Sequence, residues 1–448
     1  MHIPQRPLPI AELTKKLAEK GDPGRLISLF GRKMVDEKGR YLHWDEFRRK
    51  VNDDGLSLDE GWFAIRTARI TAAQFIPLMD TANRRFSYCE PSSLRATLQF
   101  VDLNAGGTLG TAPRGLTQAQ GSQYFTRTLA EEPFASSFIE GAATTRQRAK
   151  QLIYNNRSPR TRDERMVLNN YKGMQFIKSV IAEPLTVQTI LETHRIITDS
   201  TLDFPDDAGR LRQNDEVVVE DLAGEILHQP PPFEDLPVRL QRLCDFANAE
   251  DEPGSFVHPI IKAFTLHFAL AYEHPFADGN GRTARALFYW SALRSGYWLI
   301  EYVSISSVIA EAKTAYGQAF LKTETDESDL TYFLLHQASV LKTAIERLLQ
   351  YAQRKREEVA AFEKKILDDE GEFNSRQTHI LNEAVRNRIS SLTISDHEKL
   401  HKVSRLTARK DLEELVQIGL FKKRMKGRAN VYSPVTDLAE RLASRVSG

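Results

Sequence analysis

Apolar residues recur at helical spacing along most of the chain. In residues 1–105, Leu13 to Lys20 and Trp44 to Val51 carry that spacing, and the stretch ends in the turn-rich Asn104-Ala-Gly-Gly-Thr, so a helical N-terminal region is expected. From about 120 to 350 the helical pattern returns, broken once where Glu216-Val-Val-Val-Glu and Glu225-Ile-Leu-His flank Ala223-Gly224. That break predicts a β-hairpin, ended by Pro230-Pro231-Pro232 and followed by a new helix near Leu236. An amphipathic pattern then runs from Leu330 toward Ile366 and becomes charged at Gln353-Arg-Lys-Arg-Glu-Glu, which predicts a connector helix over 351–370. Residues 375–436 read as helix, short helix, turn, longer helix and two short β-prone runs. The expected fold class is mainly α: a helical bundle with a short hairpin between two further helical regions.

Composition narrows the function classes. A chain of 448 residues with 41% hydrophobic content is expected to fold as two or three domains. With 61 Lys and Arg against 60 Asp and Glu, any nucleic-acid binding has to be local. Cys89 and Cys244 have no partner at a disulfide or zinc spacing. The opening Met1-His-Ile-Pro-Gln-Arg lacks an apolar leader core, and no run of about 18 apolar residues occurs, so a cytoplasmic protein without membrane contact is expected.

The chemistry is concentrated between His274 and Arg285. Ile260, Ile261, Phe264, Phe268 and Ala271 share one broad helical face, so a buried helix delivers His274. Pro275-Phe-Ala-Asp278-Gly279-Asn280-Gly281-Arg282 cannot continue that helix, whereas Thr283-Ala284-Arg285-Ala-Leu-Phe-Tyr-Trp can form a second one. A glycine-lined loop at a helix start turns N–H groups and the helix dipole toward one point and favours an anion there. Arg282 and Arg285, three residues apart, add guanidinium forks for phosphates, and Asp278 offers a hard oxygen for Mg²⁺. His274 titrates near neutrality and can take a proton from an attacking hydroxyl. No GxxxxGK[ST] is present, and His267 reads as a core histidine.

His274-Pro-Phe-Ala-Asp-Gly-Asn-Gly-Arg-Thr-Ala-Arg285 resembles the complete HPFxDGNGRxxR signature of the Fic family, whose members transfer AMP from ATP to protein hydroxyls. The resemblance implies a Fic-type helical bundle over 120–350, with His274 as catalytic base, Phe276 as loop anchor and Asp278 as Mg²⁺ ligand. It further implies that Gly279, Asn280, Gly281, Arg282, Thr283, Ala284 and Arg285 bind the phosphates, that Tyr316 lies near the adenine, and that the hairpin residues Glu225, Ile226, Leu227 and His228 pair with a target segment by strand addition. The partners implied are ATP and a protein substrate, the chain itself included, with a homodimer as a further expectation. Pro133-Phe-Ala-Ser136-Ser-Phe-Ile-Glu140-Gly141 is an ordinary surface helix by itself, yet it is similar to the family's inhibitory motif [S/T]xxxE[G/N]. The resemblance implies an inhibitory helix near 133–145 in which Ser136, Glu140 and Gly141 set a pairing of Glu140 with Arg285.

Residues 375–436 resemble a winged helix-turn-helix. Ser404 is the expected N-cap, Arg405 to Ile418 the recognition helix, Gly419 its stop, and Lys422 to Arg428 the wing. Arg405, Arg409, Lys422, Lys423 and Arg424 suit the phosphates of double-stranded DNA, and a protein-contact role fits the same pattern. The leading expectation is a protein adenylyltransferase restrained by Glu140. The rivals are a DNA-binding regulator with a nucleotide-sensing domain, and a hydrolase that removes AMP on the same fold.

Overall fold

The computed structural model describes the chain except residues 20–22, 51–54, 107–127, 222, 251–255, 369–372, 386–388, 427–428, 436–437, 439–440 and 443–448. Lys20, Val51, Gly107, Thr108 and Arg428, each part of a pattern above, therefore lie outside the described residues. The chain divides into two compact units, the first built from Met1–Thr108 and Thr128–Ile345, the second containing Glu346–Gly448.

The first unit begins with helices α1 (Ile10–Ala18), α2 (Pro23–Ser28), α3 (Trp44–Phe47) and α4 (Leu58–Ala72), then strands β1 (Gln74–Met79) and β2 (Arg85–Tyr88), then α5 (Ser92–Ala105). The antiparallel β1–β2 hairpin is an addition to the mostly helical region expected here. Its cause is local: the Asp80 carboxylate accepts the N–H groups of Ala82 and Arg84, both at 2.8 Å, and Asn83 adopts φ 57°, so the turn closes before a helix can propagate. Buried charges knit this layer to the bundle, with Arg66 facing Asp326 at 3.1 Å and Tyr332 donating to Asp326 at 2.6 Å.

The bundle comprises α6 (Glu131–Ile139), α7 (Arg146–Tyr154), α8 (Arg162–Ser179), α9 (Val187–Thr198), the hairpin β3 (Val219–Glu220) and β4 (Ile226–His228), α10 (Leu236–Asn248), α11 (Pro259–Glu273), α12 (Asn280–Arg294), α13 (Ile305–Glu311), α14 (Lys313–Thr325) and α15 (Thr331–Asp368). The expected apolar face of α11 is in fact a whole circumference: Ile260, Ala263, Phe264, Leu266, His267, Phe268 and Leu270 are all buried. A helix covered on every side is a central pillar, and it fixes its C-terminus against movement. Antiparallel α12 packs along it through the Phe264–Phe288 stack at 5.4 Å.

In the second unit, α16 (Ser375–Val385), β5 (Leu392–Thr393), α17 (Ile394–His401), α18 (Arg405–Gln417), β6 (Phe421–Lys426) and β7 (Ala429–Pro434) surround Ile380, Leu412, Leu415, Leu420 and Tyr432. The sheet order is β5-β7-β6, Ser404 caps α18, and Gly419 stops it at φ 76°. Among the described residues, no helix is long and apolar enough to cross a membrane.

Candidate active site

The pillar α11 ends at a strained residue. His274 is its C-cap in the left-handed region, φ 45° and ψ 56°, a conformation a non-glycine residue holds only when its surroundings impose it. Arg212 supplies those surroundings, donating from Nε to the His274 carbonyl at 3.1 Å and from its backbone N–H to the Pro275 carbonyl at 2.9 Å. The same guanidinium reaches Asn214, Asp215 and Pro231, so one arginine ties the loop to the hairpin's base. The His274 Nδ1–H donates to the Ala271 carbonyl at 3.3 Å, which leaves Nε2 with its lone pair. Burial, reinforced by the charges of His228 and Arg212, holds the imidazole down to about 4, so near pH 7 it is neutral with the Nε2 lone pair free.

The loop that follows is clasped from inside. Phe276 is fully buried, its N–H donates to the Asn280 side chain at 2.9 Å, and the Asn280 amide returns a bond to the Phe276 carbonyl at 2.8 Å. His194 of α9 stacks on the Phe276 ring at 3.7 Å, donates through Nε2–H to the Asp278 carbonyl at 2.8 Å, and accepts the Gly209 N–H at 3.0 Å. Asn280 thus shapes the loop rather than facing a ligand with its side chain. Gly279 sits at φ 86°, and a Cβ there would come within 2.7 Å of Thr198. Only glycine fits that turn.

The first turn of α12 collects the positive charge. Thr283 closes its first intrahelical bond to Gly279 at 3.1 Å, so the N–H groups of Asn280, Gly281 and Arg282 come before it. The expectation that Thr283 and Ala284 also meet the phosphates is not matched by their surroundings: the Thr283 hydroxyl is spent on the Gly279 carbonyl at 3.0 Å and Ala284 is wholly buried. Arg282 is 1% exposed, lies 3.5 Å from the Asp278 carboxylate, and has a buried Nε without a partner. An orphaned donor at a helix N-terminus is suited to an anion. The Asp278 side chain is 54% exposed, and among the described residues no group of three acidic, histidine or cysteine side chains is placed to hold a metal. A cation here would depend on substrate oxygens as well as Asp278.

Arg285 is occupied. Its Nε donates to the Ser136 hydroxyl at 2.9 Å, and Nη2 donates to the Ser136 carbonyl at 3.1 Å and to the Glu140 carboxylate at 2.6 Å. Burial pushes the Glu140 carboxyl up, but Arg285 and Arg282 outweigh it and hold the group ionised. Gly141 at φ 92° ends α6 so that Glu140 turns toward the site, and a Cβ on Gly281 would come within 2.4 Å of that carboxylate. Helix α6 is held at both ends, by Glu132 accepting from Ser304 and Ser306 and by Lys313 donating to the Phe138 and Ile139 carbonyls.

The remaining expected residues lie at the edges of the site. Tyr316 turns its hydroxyl onto the buried His267 at 2.8 Å, in the aromatic core beneath Arg285. In the hairpin, Glu225 and Ile226 are exposed and Leu227 half-buried, but His228 is buried, bonded to Glu324 at 2.7 Å and donating to the Tyr272 carbonyl at 2.7 Å. His228 therefore anchors the hairpin, and its side chain has nothing left for a target. Sequence reasoning missed His194 and Arg212, because each acts on residues more than 60 positions away and carries no local pattern.

Residues 184–292, which include this loop, match the model of the Fic/DOC family. The chain is 34% identical over 134 residues to a protein named Protein adenylyltransferase Fic from Nematostella vectensis, and 36% identical over 127 residues to one of the same name from Drosophila willistoni. These matches cover 29% and 28% of this chain, and the chain spans 29% and 23% of those relatives' lengths. A solved Fic family protein from Desulfovibrio desulfuricans G20 aligns over 77% of this chain and 95% of its own, with TM-score 0.47 and 20% identity.

In a proton NMR titration of the nucleotide-free protein, the His274 imidazole should remain neutral through the usual histidine range and protonate only around about 4. A midpoint near the ordinary histidine value, about 6.5, would contradict the burial described here.

Proposed function

We propose that this chain is a protein adenylyltransferase, transferring AMP from ATP to a protein hydroxyl and restrained by its own Glu140. The observation that carries the reading is the neutral Nε2 of His274 beside an anion-favouring helix start with an unsatisfied arginine donor. The name that both relatives carry, Protein adenylyltransferase Fic, supports the same activity.

In this reading the N–H groups opening α12 and the fork of Arg282 hold the phosphate chain. Asp278 is the residue that would hold Mg²⁺, which supplies charge neutralisation to the phosphate oxygens when bound. His274 Nε2 takes the hydroxyl proton as the target oxygen attacks the α-phosphorus; the bond to the bridging oxygen breaks and pyrophosphate departs. Arg212, Phe276 and His194 position the loop, and the exposed edge of Glu225 to Leu227 pairs with the target backbone. Glu140 occupies the donors of Arg285 that would otherwise orient the terminal phosphate. The two buried free thiols, Cys89 and Cys244, accord with a cytoplasmic setting.

Intact mass spectrometry after incubation with MgATP tests the reading. Glu140→Gly should gain AMP-sized increments faster than wild type by roughly one to two orders of magnitude, the factor matching about 1.5–3 kcal/mol of charge-assisted hydrogen bonding. His274→Ala on the Glu140→Gly background should gain none, and equal labelling of the two variants overturns the assignment.

A second activity is favoured by the second unit, where Arg405, Arg409, Lys422, Lys423 and Arg424 are all exposed and Leu406 at the start of α18 is 78% exposed. These side chains suit duplex DNA, α18 entering the major groove and β6 tracking the backbone. Replacing Lys422, Lys423 and Arg424 with Ala should weaken duplex binding at all sequences and flatten its salt dependence by about one unit of slope per lost phosphate contact. Binding that is insensitive to salt, or unchanged in the variant, counts against it.

A further inference from the structure

A line of histidines in the second unit is used by none of the chemistry above. His379 lies on α16, His397 and His401 one turn apart on α17, and Asp411 on α18. His379 Nδ1 is 3.1 Å from His401 Nε2, His401 Nδ1 is 3.2 Å from His397 Nδ1, and His397 Nε2 is 3.0 Å from the Asp411 carboxylate. The buried end is fixed and the other end is open: His397 is fully buried, whereas His379 is exposed.

The hydrogen-bond directions along this line follow from its buried end. Asp411 accepts from Arg376 through Nε at 2.8 Å and Nη2 at 3.1 Å and from Asn374 at 2.9 Å, so it is an ionised acceptor. His397 Nε2 must then carry a hydrogen to meet it. A neutral ring with hydrogen on Nε2 presents a lone pair at Nδ1. His401 answers it with Nδ1–H, which puts the lone pair of His401 on Nε2, directed at His379 Nδ1.

We infer that His379 Nδ1 and His401 Nε2 form a two-imidazole chelate for a divalent transition cation such as Zn²⁺, with Asp411 and His397 as the outer relay that sets the ligating tautomer. Two nitrogens bound at zinc distances with tetrahedral angles stand about 3.3 Å apart, close to the separation present here. Imidazole suits zinc, copper and nickel, and a carboxylate behind the ligating ring is the arrangement by which proteins orient such ligands. His401 is the last residue of α17, where the helix's unpaired carbonyls favour positive charge. Among the described residues no third ligand is placed alongside, so water completes the shell and the cation ties α16 to α17.

Isothermal titration of the nucleotide-free full chain with zinc chloride should give one site, weakened at least about tenfold by His379→Ala and by His401→Ala. Nitrogen-15 NMR of the metal-free chain should find His401 as the Nδ1–H tautomer, a readout independent of any effect of substitution on folding. No zinc uptake by the wild type, equal affinity in the His379→Ala protein, or His401 carrying hydrogen on Nε2 alone would each overturn the inference.

Discussion

A guanidinium that is only 2% exposed has to be answered by acceptors, and the surroundings of Arg285 are arranged to supply them. The Ser136 hydroxyl and carbonyl and the Glu140 carboxylate do so together. This one constraint sets the geometry on both sides. It fixes where α6 must end, which is why Gly141 breaks it, and it keeps Gly281 without a side chain, since a Cβ would enter the Glu140 carboxylate. In the proposed reaction the same donors are wanted by the terminal phosphate, so satisfying Arg285 in the resting protein and withholding it from the nucleotide are one act.

The loop beside it is rigid for a different reason. An all-round buried α11 cannot slide, so its end places His274 at one depth, and the strained left-handed turn is held by Arg212 on one side and by Phe276 stacked on His194 on the other. Strain maintained by packing and hydrogen bonds in this way is pre-organisation: the imidazole is neutral, oriented by Ala271, and has its open nitrogen available before any substrate arrives. The anchoring of α6 by Glu132 and Lys313 means that relief of Glu140 has to come from the end of that helix or from its replacement.

What could be read from the sequence was whatever is local in it. His274 to Arg285 carries its chemistry within a dozen residues, because loop, helix start and arginine spacing are consecutive, and Ser404 and Gly419 bound α18 as their residue types dictate. Ser136 and Glu140 were legible only beside that motif, since their partner is 145 or more positions away. Arg212, His194 and the anchoring of His228 on Glu324 were not legible, because each depends on segments brought together by the bundle. The β1–β2 hairpin escaped a helical reading because an aspartate-closed turn, rather than periodicity, decides it.

The central claim is that Glu140 and the terminal phosphate compete for Arg285. Calorimetric titration of wild type and Glu140→Gly with MgADP and with MgATP measures this directly, because only the second ligand carries the group in question. The account predicts that the substitution raises affinity for ATP more than for ADP, by about tenfold for about 1.4 kcal/mol of recovered interaction. Equal gains for both nucleotides, or a gain for neither, would contradict it.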